Sequence, residues 1–476
     1  MKNYLCLDAA SEHKENKVLL VYPKTGADAV GFNVTPPIPL LYIAAYIKDF
    51  SVAIFDQRTD DPETFLRLLD ENPVCVGLTC MTGLQIKFAL EFAEMAKKKG
   101  IPTVFGGIHP TLIPEQTQED PRVDYVIAGE GEAAFRQVLI DLKNNVPIPP
   151  VTYGRPINLD DLPQSPYEHV DVDVYTKVNS LPGRLLPFQF SRGCPSRCTF
   201  CCNVALSHGK WRSQSVDIAI SQLFDLIDRY DIDSVTFLDE HLTTNPKIFN
   251  AFIREINRKV IWKFQSKAKF LLRYDLDTIF ENGGVNVGCG IESGSDRVLK
   301  MIKKGQSVED CITLNRKVAD SRMEVWYNYM MGFPGESLDD VKKTVQVALK
   351  MLDENPRAFN NTFYVLSPYP GTEIGDELSE FMPKTFEGWA EFNRHNLTAK
   401  WHDPEKLRLF SRITFSSKFT GRRLLRTFPD HAGLQELGEE MIYKWRRFDF
   451  YNDKEWDRLH ERGWVVLKEL FGENAY

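Results

Sequence analysis

The chain has 476 residues, of which 43% are apolar and 26% are charged, as in ordinary globular proteins. Its 66 acidic and 58 basic residues leave a net charge of −8, which disfavours a protein whose main task is to grip nucleic-acid phosphates. The sequence therefore excludes wholesale disorder and fibrous repeats, and it predicts no nucleic-acid partner.

The N-terminal segment and the cysteine content both indicate a cytoplasmic protein. No run of about 18 apolar residues occurs, so we expect no membrane span. The N-terminus carries acidic side chains and lacks the long apolar run of a secretion signal. In a reducing compartment the nine cysteines are expected to be thiols or metal ligands, not disulfides.

After an N-terminal extension of residues 1–14, apolar runs alternate with helical stretches. Helices are predicted at Pro36–Phe50, with prolines at its entrance, and at Gln85–Lys99. This alternation predicts an α/β fold, with a Rossmann-like, doubly wound parallel sheet over residues 15–150. Its strands are predicted at Lys17–Pro23, Val52–Asp56, Val74–Cys80, Ile101–Gly107 and Val123–Glu132.

The strands of this sheet end in small or polar residues, at the edge where doubly wound sheets bind ligands. Glycine there lets a flat ligand approach the backbone, but the same glycines also suit tight turns. No GxGxxG fingerprint follows the first strand, which disfavours a dinucleotide. The candidate binding residues are Thr79, Thr82, Gly106, Gly107, His109, Gly129 and Glu130.

Four cysteines fall within nine residues, and three of them, Cys194, Cys198 and Cys201, have the spacing C-x3-C-x2-C. Three thiolates on one loop can surround a soft-metal centre. A structural zinc site needs a fourth ligand, for which neither His208 nor His241 has a standard spacing. A ferredoxin-type site needs a fourth cysteine. A [4Fe–4S] cluster held by these three thiolates has one iron open to a small molecule.

This motif, with Phe200 before its third cysteine, resembles the signature of radical S-adenosylmethionine (SAM) enzymes. The resemblance implies that Cys194, Cys198 and Cys201 hold the cluster. Cys202 is an alternative ligand, although the family pattern makes it a packed neighbour. In that family the open iron binds SAM, and reduction cleaves SAM to methionine and a 5′-deoxyadenosyl radical, which abstracts a hydrogen atom. A zinc-binding module is the alternative.

Three later segments resemble further motifs of this family: SVTFLDEHLTTN (234–245), VGCGIESGSDRVLKMIKKG (287–305) and YNYMMGFPGES (327–337). In the family they meet the SAM amino group, the methionine and ribose, and the adenine, respectively. The serines of the second segment also suit a helix N-cap. By this resemblance the SAM-binding residues are Phe200, Asp239, Glu240, Glu292, Ser293, Met331 and Gly332.

Six predicted strands alternate with helices over residues 186–375. The resemblance implies the family's partial (β/α)6 barrel, which is TIM-like and carries its site at the carboxyl ends of the strands. The strands are predicted at Pro187–Ser191, Ser234–Leu238, Ile261–Gln265, Val285–Gly290, Glu324–Met330 and Asn361–Leu366.

The first module also resembles a known domain. PPIPLLYIAAYI, GGIHPTLIPE and DYVIAGEGE are similar to segments of the cobalamin (B12)-binding domain that precedes many radical SAM barrels. The strand-end residues named above are then the candidate cobalamin contacts. The DxHxxG motif is absent, because the loop after the first strand has no histidine. Many members of this class lack it and still hold cobalamin, whereas others keep the fold without the cofactor.

The resemblance implies a cobalamin-dependent radical SAM C-methyltransferase. The deoxyadenosyl radical would remove hydrogen from an unactivated substrate carbon, and methylcobalamin would supply the methyl group to that carbon. A second SAM would then regenerate methylcobalamin. The alternative is a radical SAM enzyme, with or without cobalamin, that cyclises, dehydrates or rearranges its substrate, as in the similar anaerobic ring cyclase. A non-catalytic metal-binding scaffold is the third hypothesis. Expected partners are a small-molecule substrate and a reductant such as flavodoxin or ferredoxin.

Two regions flank the predicted barrel. Residues 151–185 contain scattered Pro, Asp and Gly and are predicted to be a linker. Residues 376–476 are predicted to be a mainly helical domain whose aromatic side chains form core, with a minority lining the substrate pocket, because an incomplete barrel needs a lid. Its basic segment TGRRLLR (420–426) suits a solvated helix face or an acidic substrate. No auxiliary cluster is predicted. Cys289 and Cys311 are expected to be inert, unless Cys289 contacts SAM.

Overall fold

The computed structural model describes residues 16–26, 28, 34–163, 167–177, 180–392 and 401–472. The predicted extension of residues 1–14 and part of the loop after the first strand therefore lie outside the described residues. The chain divides into two units. Met1–Val178 and Pro383–Asn393 form the first, and Asn179–Met382 and Arg394–Tyr476 form the second. No helix in the described ranges is long and apolar enough to cross a membrane.

The first unit contains a six-stranded sheet in which all paired strands run parallel. Its strands are β1 Lys17–Tyr22, β2 Ser51–Asp56, β3 Val76–Thr79, β4 Thr103–Gly106, β5 Tyr125–Gly129 and β6 Val151–Gly154. They lie in the order β2–β1–β3–β4–β5–β6. The predicted linker of residues 151–185 thus begins with the edge strand β6. The interior of β1 is fully buried because it is apolar on both faces.

The helices of this unit begin where the local sequence supplies caps. α1 has prolines at its entrance, and the Asp61 side chain accepts a hydrogen bond from Glu63 N at the start of α2. The α-helices are α1 Ile38–Tyr46, α2 Pro62–Asp70, α3 Gln85–Lys98, α4 Ile108–Leu112, α5 Pro114–Gln118, α6 Gly131–Lys143 and α7 Val172–Tyr175. Short 3₁₀ helices occur at Leu159–Asp161, Tyr167–His169 and Glu387–Glu391.

Residues from far along the chain complete the core of the first unit. Phe386 and Trp389 are 2% and 1% exposed. The Phe386 ring meets Phe105 of β4 edge-on at a centroid distance of 5.6 Å. Trp389 Nε1 donates a hydrogen bond to Gln116 Oε1 at 2.6 Å. The segment around Glu387–Glu391 therefore belongs to the hydrophobic core of the first unit, although the sequence pattern assigns it to the C-terminal region.

We expect Trp389→Ala to destabilise the first unit by about 3–5 kcal/mol, because it leaves a large cavity in a packed core. Amide hydrogen exchange should show lost protection in β3 and β4. Leu66→Ala is a control within the same unit, since Leu66 is 50% exposed, and it should leave protection unchanged. Equal protection in the Trp389 variant and the parent would contradict this account of the core.

The second unit contains a second six-stranded parallel sheet. Its strands are β7 Leu185–Phe188, β10 Ser234–Phe237, β11 Ile261–Ser266, β12 Gly284–Glu292, β13 Glu324–Met331 and β14 Ala358–Val365. They lie side by side in chain order, from β7 to β14. A small antiparallel pair, β8 Ser191–Arg192 and β9 Arg212–Ser213, follows β7 along the chain. Because the six strands are parallel, their carboxyl ends lie at one edge.

Helices connect these strands and continue beyond them. Ser307 and Ser337 form capping boxes at the starts of the helices Val308–Asp320 and Leu338–Glu354. The α-helices are α8 Cys202–Ser207, α9 Val216–Tyr230, α10 Pro246–Ile256, α11 Ala268–Leu271, α12 Leu276–Glu281, α13 Asp296–Met301, α14 Val308–Asp320, α15 Leu338–Glu354, α16 Glu373–Glu377, α17 Pro404–Thr420, α18 Arg423–Thr427, α19 Ala432–Arg447 and α20 Asp453–Phe471. A 3₁₀ helix spans Ser379–Phe381. The predicted α/β class with parallel sheets is confirmed.

The basic segment TGRRLLR binds carbonyl and amide oxygens at the start of β14. Arg422 Nη1 donates to Asn355 O at 3.0 Å, and Arg423 Nη1 donates to Asn361 Oδ1 at 3.2 Å. Arg426 also donates to the Pro356 carbonyl. These contacts give the arginines a structural role in joining the C-terminal helices to the second sheet.

Candidate functional site

The three cysteines of the C-x3-C-x2-C motif line one cavity of about 210 Å³ in the second unit. Their loop lies between β8 and α8, after the carboxyl end of β7. Backbone hydrogen bonds hold the loop at Thr199, whose N–H donates to Ile302 O at 3.0 Å and whose carbonyl accepts from Ile374 N at 3.1 Å. The loop is thus fixed between α13 and α16.

The alternative metal ligands named from the sequence, Cys202, His208 and His241, do not all line this cavity. Cys202 is the first residue of α8 and is not among the residues lining the cavity, and His208 ends the same helix. His241 does line the cavity. Within the described ranges, no three His, Cys, Asp or Glu side chains are placed to hold a single metal ion. The three thiols share the cavity with His241.

A buried ion pair closes one side of this cavity. Lys304 Nζ lies 2.7 Å from Glu292 Oε1, and both side chains are almost fully buried. A side chain at Gly290 would collide with Glu292 Oε1 and place its Cβ 2.9 Å from Lys304 Nζ. Glu292 itself has a positive φ of 66°, a strained backbone conformation for a glutamate. The end of β12 is therefore shaped around this pair.

Two ammonium groups border the thiols. Lys267 Nζ donates a hydrogen bond to the Lys304 carbonyl, and the Lys267 side chain lines the same cavity as Cys198. Burial lowers the pKa of Lys267, although the thiols Cys198 and Cys194 act in the opposite direction. Burial also opposes protonation of Lys304, but the Glu292 carboxylate outweighs it and the net pKa of Lys304 is raised. Three soft thiol ligands with cations beside them fit an anionic iron–sulfur cluster.

These lysines were not among the candidates from sequence. Lysines are expected at protein surfaces, and the adjacent Lys303 and Lys304 offer no pattern that says which one turns inward. Lys267 directly follows β11, so the only available signal was its position at a strand end. Burial raises the pKa of the Cys201 thiol to about 12, and the neighbouring Cys202 adds to this effect. Nearby cations are therefore needed to favour the thiolate form.

Three of the predicted SAM residues line the cavity with the cysteines: Phe200, Glu240 and Glu292. Glu240 Oε2 accepts a hydrogen bond from Gly193 N at 3.0 Å, which ties the carboxylate to the start of the cysteine loop. Phe200 packs edge-on against Phe333 at a centroid distance of 5.6 Å. The structure therefore brings two carboxylates and an aromatic ring together with the thiols.

Four predicted SAM residues are not among those lining the cavity. Asp239 is buried, accepts hydrogen bonds from Phe190 N and Ser191 Oγ, and has its pKa raised to about 7 by burial. Ser293 Oγ lies 3.2 Å from Thr344 Oγ1. Met331 is buried, and the neighbouring Gly332 carbonyl accepts hydrogen bonds from Trp401 Nε1 and His402 Nε2. Their roles toward SAM stay predictions.

The SGS segment does not cap α13 with a serine side chain. Ser295 occupies the N-cap position, but its Oγ donates to Asp340 Oδ1 at 2.6 Å. Gly294 N donates to Thr344 Oγ1 at 2.9 Å. The segment is therefore tied to α15, which explains why small polar residues are used directly after Glu292.

His241 is a second cavity residue with an unusual environment. Its Nδ1 is 3.0 Å from Thr244 Oγ1, while its buried Nε2 has no hydrogen-bond partner within the described structure. Burial, followed by the charge of Lys267, lowers the pKa of His241 to about 3. The imidazole is therefore neutral near pH 7 and presents an unsatisfied polar atom in a cavity-lining residue.

In the first unit, the strand-end glycines fall into two groups. A Cβ at Gly107 would lie 2.6 Å from Thr79 Oγ1, and one at Gly129 would lie 2.5 Å from the Gly154 carbonyl, so these two glycines serve tight backbone packing. At Gly106 the nearest atom to such a Cβ is 3.8 Å away. Gly106 is thus the strand-end glycine whose missing side chain leaves room.

His109 is fully buried in the first unit. Its Nδ1 is 2.9 Å from Thr82 Oγ1, and its ring stacks on Phe386 at a centroid distance of 5.4 Å. Its Nε2 is buried and has no partner among the described residues. Burial lowers the pKa of His109 to about 3. Glu130 precedes α6, and its Oε2 accepts a hydrogen bond from Ile157 N at 3.2 Å.

Room at Gly106 and the unsatisfied nitrogen of His109 fit a flat ligand with polar groups at its rim. Both residues follow or end β4, at the carboxyl edge of the first sheet. The cobalamin contacts predicted from the sequence stay predictions, with Gly106 carrying the clearest structural support.

Two regions of the chain match models of known domains. Residues 25–139 match the B12 binding domain, and residues 188–348 match the radical SAM superfamily. An uncharacterized methyltransferase of Pyrococcus horikoshii is 30% identical over 393 residues, which cover 76% of this chain and 83% of that protein. The chain belongs to the family of radical SAM enzymes with a B12-binding domain. The predicted enzyme class and family are confirmed, and so is the cofactor set associated with the two domains.

This radical SAM enzyme is also similar to proteins with different reactions. Bacteriochlorophyllide d C-12(1)-methyltransferase of Chlorobaculum tepidum is 24% identical, over 84% of this chain and 85% of that one. Anaerobic magnesium-protoporphyrin IX monomethyl ester cyclase of Rubrivivax gelatinosus is 25% identical, over 76% of this chain and 70% of that one. The structure of the cobalamin-dependent SAM radical enzyme OxsB with aqua-cobalamin bound shares the fold, with a TM-score of 0.69 and 16% sequence identity. The match covers 96% of this chain and 75% of the OxsB chain.

Proposed function

We propose that this radical SAM enzyme abstracts hydrogen from an unactivated carbon of a small-molecule substrate and methylates that carbon with the help of cobalamin. The observation that carries the proposal is the cavity that three thiols share with Glu240, Glu292 and Lys304 in the second unit. The B12-binding domain and the methyltransferases among the relatives support methylation as the fate of the radical.

The second sheet is inferred to be the partial (β/α)6 barrel of the family, and the first a Rossmann-like domain. Parallel strands in chain order from β7 to β14 support the first inference. The domain limits 15–150, 151–185, 186–375 and 376–476 stay predictions. Within this scheme the segment Pro383–Asn393 is an addition to the first domain, because it completes the core of that unit.

In this proposal the chain positions the cluster and SAM with few residues. A cluster bound there would supply the electron for reductive cleavage of SAM. Cys194, Cys198 and Cys201 would hold this cluster, with the ammonium groups of Lys267 and Lys304 beside it. The carboxylates of Glu240 and Glu292 provide the negative charge that attracts the SAM amino group.

Cobalamin bound in the first unit would supply the methyl group. We expect Gly106→Val to lower cobalamin retention by about tenfold or more, because the valine side chain would fill the open space at the end of β4. The parent backbone has no close neighbour there, so the variant should keep its fold. Corrinoid extracted from anaerobically purified protein measures retention. His109→Ala tests the same edge, and unchanged retention in that variant would remove His109 from the site.

The alternative is ring cyclisation or another radical outcome without methyl transfer, and the similarity to the anaerobic cyclase favours it. Incubation with trideuteromethyl-SAM and a reductant separates the two. Methylation predicts that the extracted corrinoid carries the labelled methyl group before any substrate is added. An unlabelled corrinoid, together with normal SAM cleavage, would contradict methylation and support the alternative.

A further inference from the structure

One face of the second sheet carries polar and aromatic side chains that are half-buried or exposed. Lys263 and Gln265 alternate along β11, and Trp326 and Asn328 alternate along β13, so each pair points to one side of its strand. A side chain at Gly288, which pairs in register with Gln265, would collide with the Trp326 ring. The two pairs therefore share one side of the sheet, which we call the polar face.

The opposite face of the same strands is covered by helices. Trp262, Phe264, Tyr327 and Tyr329 alternate with the residues of the polar face and are at most 1% exposed. The Tyr327 hydroxyl donates to Asn315 Oδ1 of α14 at 2.9 Å. Packing thus accounts for the apolar face, whereas the polar face is the side left to a ligand.

The polar face continues into the cysteine cavity. Gln265 and Asn328 line that cavity together with the three thiols. Asn361 Nδ2 donates to Asn328 Oδ1 at 3.1 Å, and Arg423 Nη1 donates to Asn361 Oδ1 at 3.2 Å. Two hydrogen bonds therefore connect a cavity residue to the guanidinium of Arg423.

Two cations lie near each other on this face without a paired carboxylate. Lys263 Nζ is 5.9 Å from the centre of the Trp326 ring. Burial, followed by the charge of Arg423, lowers the pKa of Lys263 to about 8. No ion pair of Lys263 or Arg423 is found in the described part of the chain. Glu324, at the start of β13, instead accepts a hydrogen bond from Asn286 Nδ2 at 3.2 Å.

A buried hydroxyl beside Lys263 also lacks a partner. Thr236 of β10 pairs in register with Lys263, so its side chain lies on the same face. Its Oγ1 is buried and makes no hydrogen bond within the described ranges. An ammonium, a guanidinium and a hydroxyl are donors that suit the oxygens of an anion.

We propose that Lys263 and Arg423 bind an anionic group of the substrate, a carboxylate or a phosphate, on the polar face next to the cysteine cavity. The inference deepens the proposed function and rests on it, because it assigns the anion to the molecule that is methylated. Charge-assisted hydrogen bonds are roughly twice as strong as neutral ones, and a bound anion offsets the repulsion between the two cations. Held there, the substrate extends along Gln265 and Asn328 toward the thiols.

The test compares Lys263→Gln/Arg423→Gln with Lys247→Gln/Arg254→Gln, which removes the same two charges from exposed positions on α10. The probes are inorganic phosphate and benzoate, and titration calorimetry of the full-length enzyme at low salt measures their binding. We expect the polar-face variant to lose about tenfold or more in affinity for the anion that the parent binds more tightly, and the control less than about threefold. Tighter binding of phosphate assigns a phosphorylated substrate, and tighter binding of benzoate assigns a carboxylate.

Arg423→Gln alone keeps the test valid if the Lys263 substitution impairs folding, because Arg423 is exposed. This variant should lose about threefold or more in affinity for the same anion. A parent that binds neither anion, unchanged affinity in the polar-face variants, or an equal loss in the control would overturn the anion site.

SAM cleavage by the parent with dithionite, without any added substrate, separates this inference from the proposed function. If the parent cleaves no SAM, the proposed function fails, even where anion binding depends on Lys263 and Arg423. If the parent cleaves SAM and anion binding does not depend on these two residues, the inference alone fails.

Discussion

Cys198→Ala is expected to abolish SAM cleavage and to remove most of the iron and sulfide from the reconstituted protein. Cys198 lines the cavity with the other two thiols of the motif and with Lys267. Without Cys198 only two thiolates of the motif remain as ligands, which is too few to retain the cluster, because thiolates are the ligands that hold such clusters. Iron and sulfide analysis, visible absorption and 5′-deoxyadenosine formation under anaerobic conditions measure the outcome.

Cys202→Ala is the matched control for this variant. Cys202 lies next to Cys201 in sequence but starts α8, outside the cavity lining. We expect the Cys202 variant to keep the cluster and at least half of the SAM cleavage, because Cys202 is not among the residues that line the cavity. Cluster loss in the Cys202 variant with retention in the Cys198 variant would exchange the two assignments.

Lys304→Met is expected to destabilise the second unit by about 3–5 kcal/mol, because it leaves the Glu292 carboxylate buried without its partner. The affinity for SAM should fall by about tenfold or more as Glu292 loses its fixed position. Denaturant unfolding measures the first effect, and equilibrium binding of SAM to the reconstituted enzyme measures the second. Lys343→Met is the control, since its exposed pair with Asp339 should contribute less than about 1 kcal/mol.

The double variant Glu292→Gln/Lys304→Met keeps this prediction testable if the single variant folds poorly. Removing both charges should restore most of the stability. It should not restore SAM binding if Glu292 is a SAM contact. Full SAM affinity in the double variant would show that the pair serves the fold alone.

The strands and the cysteine motif were predictable because their signals are local. The apolar run Ser234–Leu238 predicts a strand that the structure ends at Phe237, and C-x3-C-x2-C needs no knowledge of distant residues. The choice between adjacent acids was not predictable. Glu240 lines the cavity, whereas Asp239 turns inward to Phe190 and Ser191. Nothing in a pair of neighbouring carboxylates says which one the turn after β10 will bury.

Long-range packing explains the rest of what the sequence did not reveal. By residue type alone, Phe386 and Trp389 could belong to the core of the C-terminal region. Only the fold shows that they pack against His109 and Phe105 in the first unit. Two adjacent lysines differ for the same reason. Lys303 is exposed beside Glu373, whereas Lys304 is buried beside Glu292. Both differences arise from tertiary contacts that residue type and spacing do not encode.

The central claim is that three cysteines hold a [4Fe–4S] cluster whose remaining iron binds SAM. Electron–nuclear double resonance of the reduced enzyme, with SAM labelled with ¹⁵N at its amino group, tests it most directly. We predict a ¹⁵N coupling that is replaced by a ¹⁴N coupling when the SAM is unlabelled. A protein nitrogen on that iron in the presence of SAM, with His241 the residue placed to supply it, would contradict the claim, as would zinc in place of iron.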